Sequence, residues 1–120
     1  MDNLEAIKAN AELVLKTFEQ QNLGYDEESV AWLDGYIERN RLKWDAAGAE
    51  KLVNILGSFL GECLRLNYGG EWQMTENGLG VAFSDGNAAF PFNKIRKQIQ
   101  NGSEDSIASF YSSISILFKN

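Results

Sequence analysis

From Asp2 to Gln21 the apolar positions Leu4, Ile7, Ala11, Val14 and Phe18 fall at steps of three and four, with Lys8, Glu12, Lys16 and Glu19 between them. That is the period of a helix with one buried stripe. Gly24 is the expected stop, and Asp26, Glu27 and Glu28 then stand where the positive end of a second helix favours carboxylates. The second helix should turn Val30, Leu33 and Ile37 inward, flanked by Trp32 and Tyr36, and leave Asp34, Glu38, Arg39 and Arg41 toward water. The pattern breaks around Asp45 to Gly48. It resumes in Leu52, Val53, Leu56, Phe59, Leu60, Cys63 and Leu64, an apolar arc wider than the first two, which predicts a central helix touched on several sides.

After Tyr68, Gly69 and Gly70 the period drops from about 3.6 to 2. Trp72 and Met74 alternate with polar neighbours, and Leu79, Val81 and Phe83 alternate with Gly80, Ala82 and Ser84. Asn77 and Gly78 between them predict a two-residue type I′ turn, whose central positions both need positive φ. Asp85 and Gly86 repeat the turn chemistry and lead to a short third strand up to Phe90. Gly80, Ala82, Ala88 and Ala89 should make one sheet face smooth enough for a helix to pack closely on it. Pro91 can open a fourth helix, with Phe92, Ile95 and Ile99 inward and Lys94, Arg96 and Lys97 outward. Asn101 and Gly102 close it, and Ser103, Glu104 and Asp105 are the expected cap of a last helix carrying Ile107, Phe110, Tyr111, Ile114, Leu117 and Phe118. The expectation is one compact α+β domain over residues 1–120: about five helices, with a three-stranded antiparallel meander between the third and the fourth.

Composition narrows the function. The chain has 120 residues, 11 basic against 17 acidic, one cysteine and no histidine. One cysteine excludes an internal disulfide, and without histidine the common zinc sites and the Ser/His or Cys/His catalytic arrangements are excluded too. No phosphate-cradling glycine loop and no GxSxG elbow is present. No cofactor or metal site is expected, and an acidic chain is a poor holder of nucleic acid, whose affinity scales with Lys and Arg placed on phosphates. The first sixteen residues do not read as a signal peptide, and no run approaches the roughly 20 apolar residues of a spanning helix. A cytoplasmic protein without membrane attachment is therefore expected.

Charge is uneven. Up to Glu62 the chain carries twelve acidic and six basic residues, and beyond it five of each. Solvation of helix faces accounts for this, and the sharper reading is an acidic face of Asp26, Glu27, Glu28, Asp34 and Glu38 that meets a basic protein partner. Trp32, Trp44, Tyr25 and Tyr36 nearby are the aromatic type that interfaces use. Glu62 and Arg65, three apart on a helix, together with Tyr68 and Trp72, could instead surround a cleft where the third helix meets the first strand. Gly57 and Gly61, four apart in the same helix, weaken it by about 1 kcal/mol each and so point to close packing of another element. Cys63 reads as a small buried hydrophobe, and the basic trio Lys94, Arg96 and Lys97 as an ordinary exposed face.

The run LGSFLGECLRLNYGGEW, with PFNKIRKQIQNG and EDSIASFYSSI after it, resembles small bacterial domains of unknown function in which a helix ending in LGxxLGE leads into GGxW and a short sheet. The matching positions are Leu56, Gly57, Leu60, Gly61, Glu62, Gly69, Gly70, Trp72, Pro91 and Gly102. The resemblance implies a bacterial cytosolic setting and directs attention to Glu62 and Trp72, without implying an activity. Taken together, the sequence leads first to a non-catalytic binding or interaction module, of which an immunity-type or antitoxin-like protein with an acidic face is one form. The other reading is a small-molecule or peptide binder, or a weak enzyme, working in the Glu62, Arg65, Tyr68 and Trp72 cleft. The apolar stripe of the second helix is compatible with packing on its own domain or on a second copy of the chain.

Overall fold

The computed structural model describes residues 3–118, so that Asp2 and the side chain of Phe118 lie outside the described part. It has five α-helices, α1 Asn3–Thr17, α2 Glu27–Asn40, α3 Ala46–Tyr68, α4 Pro91–Asn101 and α5 Ile107–Phe118. Between α3 and α4 lies a meander of β1 Glu71–Thr75, β2 Gly78–Ala82 and β3 Ala88–Ala89, antiparallel throughout in the order β1-β2-β3. The fold class is therefore α+β, as the change of period predicts.

Helix α3 is the centre. An unbroken run from Leu56 to Leu64 is buried along it, and Val53 is buried one turn earlier. Asp45 caps it by accepting the Gly48 N–H at 2.8 Å, so the helix starts where the apolar pattern still looks broken. Helix α1 buries Ile7, Ala11 and Val14 and stops sooner than the sequence suggests. A single 3₁₀ turn over Glu19–Gln21 follows it, and Asn22, in the left-handed region at φ 53°, makes the reversal assigned to Gly24. Asp26 caps α2 by accepting the Ser29 N–H at 2.8 Å, and Val30, Leu33 and Ile37 are buried as expected.

Gly57 and Gly61 mark the closest approaches on α3. A Cβ at Gly57 would overlap the ring and backbone of Phe92, and one at Gly61 would overlap the indole of Trp72. The close packing expected of this pair is present, and the neighbours are aromatic rings from β1 and the first turn of α4.

One turn and one sheet face differ from expectation. The β1–β2 turn is centred on Glu76 and Asn77, and of its residues only Gly78 has positive φ, at 105°. Thr75 explains the shift: its hydroxyl accepts the Asn77 N–H and donates to the Gly78 carbonyl, closing the turn one residue early. The smooth sheet face also does not carry the helix. Strand register puts Val81, Phe83 and Ala89 on the side facing the core, where all three are buried, and Gly80, Ala82 and Ala88 on the other side. Large residues fill the helix–sheet space, and the ring of Phe90 lies over Gly80.

At the C-terminal end the cap of α5 is partly local and partly supplied from other helices. Residues Gly102–Asp105 form a 3₁₀ turn instead of the expected cap. The Ser109 N–H is taken by Ser106 Oγ, the Ala108 N–H by Asp34 at 3.0 Å and the Ile107 N–H by Gln98 Oε1 at 2.9 Å. Gln98 is fully buried, and its amide also donates to the Asp34 carbonyl, joining α2, α4 and α5.

Gly61→Ala should gain about 1 kcal/mol of helix propensity and lose more from overlap with the indole, since overpacking costs about 1–3 kcal/mol. A lower urea midpoint at unchanged m-value is the expected outcome, and an unchanged or higher midpoint would show that Trp72 moves aside at no cost.

Candidate functional site

Glu62 lies on the buried side of α3, near its C-terminal end, with 4% of its surface exposed. A carboxylate there needs partners to replace water. Arg65, one turn on, supplies two: Nε donates to Oε2 at 2.8 Å and Nη2 to Oε1 at 3.0 Å. The third comes from the sheet, where Trp72 Nε1 donates to Oε2 at 2.9 Å. This last bond exists because Gly61 lets the indole lie against α3. Burial alone would raise the Glu62 pKa, and the hydrogen bonds from Arg65 and Trp72, with the charges of Arg65 and Lys8, outweigh it and hold the carboxyl below its ordinary range. The same pairing raises the Arg65 pKa. Burial, with Glu62 nearby, pushes the Tyr25 phenol up.

Above this clamp opens a groove of about 650 Å³ between the N-terminal half of α1 and the β1–β2 hairpin. Leu4, Ile7 and Lys8 line one side, Trp72, Met74 and Leu79 the other, and Arg65, Gly69 and Gly70 the inner end. Met74 and Leu79 are cross-strand partners at the hairpin tip, on the same face as Trp72 and beyond the reach of α3, which leaves Met74 69% exposed. Glu71 also borders the groove, but strand alternation turns its side chain to the opposite face, where it borders a second, smaller depression with Gln73 and Ser84.

Of the four residues the sequence grouped, the structure brings Glu62, Arg65 and Trp72 together and takes Tyr68 elsewhere. The Tyr68 ring packs on Tyr111, 5.7 Å between centroids, and both belong to a packed cluster with Asn67, whose amide bridges the Tyr25 carbonyl, the Cys63 carbonyl and the Tyr111 hydroxyl. Burial raises the Tyr111 pKa, and burial likewise raises that of Cys63, which is fully enclosed. The groove residues that sequence reasoning did not single out are Leu4, Lys8, Met74 and Leu79. Met74 carried a usable signal, being two residues after Trp72 in a strand and therefore on its face, whereas nothing in the sequence places α1 opposite the hairpin.

The five carboxylates of the expected acidic face have different surroundings. Asp26 caps its own helix and Asp34 caps α5, accepting also the Ser106 hydroxyl. Glu38 keeps a buried oxygen with no hydrogen-bond partner among the described residues, while Glu27 and Glu28 are exposed. The aromatic residues beside them form a half-buried ladder: Phe18 lies 4.9 Å from both Trp32 and Tyr36, Trp32 stacks on Tyr36 at 5.7 Å, and Tyr36 meets Trp44 at 5.9 Å. Tyr25 instead stacks on Phe59 in the core. In the basic trio Arg96 pairs with Glu50 and Lys94 covers the Phe110 ring.

Among the described residues no three His, Cys, Asp or Glu converge as a metal ion would need, and no helix is long and apolar enough to cross a membrane. No protein-family model matches this chain, and neither the curated proteins nor the solved structures contain a match to it.

Because the Glu62 pKa is lowered on folding, its contribution to stability is complete above the ordinary glutamate value of 4.5 and is lost as pH falls from there through the folded value. Glu62→Gln should therefore flatten the acid limb of a stability-against-pH curve measured by urea unfolding. An acid limb identical to that of the parent would mean that the clamp does not hold the carboxylate ionised. Glu62→Ala, which leaves Arg65 and the Trp72 N–H without this acceptor, should cost about 1.5–3 kcal/mol at neutral pH in the same assay.

Proposed function

We propose that this chain is a non-catalytic binding module whose ligand site is the groove between α1 and the β1–β2 hairpin. The observation that carries the reading is the clamp at its inner end: one buried carboxylate fixes a guanidinium and an indole, from two different elements, at a partly apolar opening of about 650 Å³. Pockets of this size with apolar walls and a few converging polar groups are where small ligands or short peptides bind. The clamp suits positioning better than proton transfer. Both Glu62 oxygens already accept hydrogen bonds and its pKa is held low, the reverse of what a general acid or base near neutral pH requires.

A second reading, a protein-partner interface of the immunity or antitoxin kind, is supported by the ladder of Phe18, Trp32, Tyr36 and Trp44 with the exposed Glu28 one turn before Trp32. Electrostatically guided association there would slow as salt rises. The groove is preferred because Asp26 and Asp34 already serve as helix caps inside the fold.

Amide chemical-shift mapping with a panel of small apolar and amphipathic fragments tests the proposal. Shifts should cluster on Leu4, Lys8, Gly69, Gly70 and Leu79 and weaken in Met74→Asp, whose exposed position leaves the fold intact. Shifts centred instead on Trp32, Tyr36 and Trp44 would overturn it in favour of the interface reading.

A further inference from the structure

The walls of the groove and its inner end differ in kind. Leu4, Met74 and Leu79 form the outer part, at the first turn of α1 and the tip of the hairpin. One helical turn beyond Leu4 stands Lys8, exposed at the rim, and across from it Arg65, half-buried at the end of α3. Met74 lies two residues along the strand from Trp72, so the apolar tip is displaced from the clamp by about 6–7 Å. The groove is thus cationic at one end and apolar at the other, on a chain whose formal charge is −6.

The ionised side chains that enter this space define the ligand's charge. Arg65 is balanced by Glu62 beneath it, through its Nε and Nη2, while Nη1 takes no part in that pairing. Lys8 adds one further positive charge, while Glu71, which also borders the groove, has its side chain turned by strand alternation to the face opposite Trp72. The sum over Lys8, Arg65 and Glu62 is one net positive charge, which matches a monoanion. A phosphate monoester, with nearly two negative charges at neutral pH, would be undercompensated. The tail follows from the outer walls. A peptide brings a donor and an acceptor with every residue and needs partners for them, which the side chains of Leu4, Met74 and Leu79 do not supply. A hydrocarbon chain needs none and gains from each methylene removed from water.

We infer that the ligand is a single-chain amphipathic carboxylate, a free acyl chain whose head group lies between Lys8 and Arg65 and whose tail lies along Leu4, Met74 and Leu79; this rests on the groove being the ligand site. The carboxylate accepts from the Lys8 ammonium and from the free edge of the Arg65 guanidinium. No bond is made or broken. The clamp serves this arrangement by fixing the guanidinium before the ligand arrives, so that little side-chain freedom is lost on binding.

The test compares decanoate, decanol and decyltrimethylammonium, kept below their micelle concentrations, by amide-shift titration of the intact chain and of the Lys8→Glu and Met74→Asp variants. Both substitutions fall at exposed side chains, and melting curves verify that each variant folds. Decanoate is expected to shift Leu4, Gly69, Gly70 and Leu79 and to bind at least about tenfold more tightly than decanol, with the cationic analogue weakest. Lys8→Glu should weaken decanoate about tenfold or more and leave decanol unchanged, and Met74→Asp should weaken both. Equal affinity for decanoate and decanol, or indifference of decanoate to Lys8→Glu, overturns the head-group assignment and leaves the groove as the ligand site. Fragments that shift the groove amides while no decyl compound does so overturn the acyl ligand alone, and silence of the groove toward every probe overturns both.

Discussion

A carboxylate placed inside a helix interface has to recover, from fixed partners, the hydrogen bonds that water would have given it. In this protein that requirement falls on Glu62, and meeting it organises everything around the C-terminal end of α3. Arg65 is within reach because both residues share one turn of helix. Trp72 belongs to a different element and reaches only because Gly61 has no side chain, so the absence of one methyl group and the presence of one charge are linked. The position of β1, the orientation of Arg65 and the shape of the groove's inner end all follow from the same three-residue contact. A change that displaced the indole would take one of its three hydrogen bonds from the carboxylate that orients the guanidinium.

Helix α5 solves a related problem by exchange between elements. The first turn of α5 has N–H groups with no partner in their own helix, and Asp34 on α2 and Gln98 on α4 supply acceptors for them. Gln98 is a polar side chain in a fully buried position, which is tolerable because its carbonyl and its amide are both engaged. Arg41 does the same service in the other direction, donating to the last carbonyls of α4 at Gln98 and Gln100. Helices α2, α4 and α5 are therefore held to one another by directional bonds as well as by packing.

The apolar periodicities were sufficient for the elements, because Ile7, Val14, Leu33, Ile37 and Leu60 are buried for the reason they recur. The glycines of α3 were also legible, since their cost to the helix demands a close neighbour, although the neighbour's identity was not. Failures arose where a group other than the expected one made the decisive bond: Asp34 and Gln98, from other helices, join Ser106 in capping α5 in place of Ser103, and the neighbouring Thr75 hydroxyl draws the hairpin turn off Asn77 and Gly78. Small residues point to one face of the sheet for packing, whereas the space beneath the other is wide enough to take Val81 and Phe83. At the site, Glu62 with Arg65 could be read from helical spacing and Trp72 from the following strand. Tyr68 has the same spacing toward the cleft in the sequence, and it departs because the direction of a side chain in the last turn of a helix depends on how the chain leaves it.

Cys63 follows Glu62 directly and lies fully inside the most heavily packed helix, with burial raising its thiol pKa. A thiolate-directed reagent can meet it only when α3 separates from its neighbours, because the thiol is neither ionised nor accessible while the core is closed. As the single cysteine of the chain, it makes the rate of thiol modification a measure of how often the core opens, with no label to introduce and no second thiol to confound it. Under conditions where the core recloses faster than the reagent reacts, that rate reports the free energy of opening at the centre of α3, so that the central packing carries its own probe.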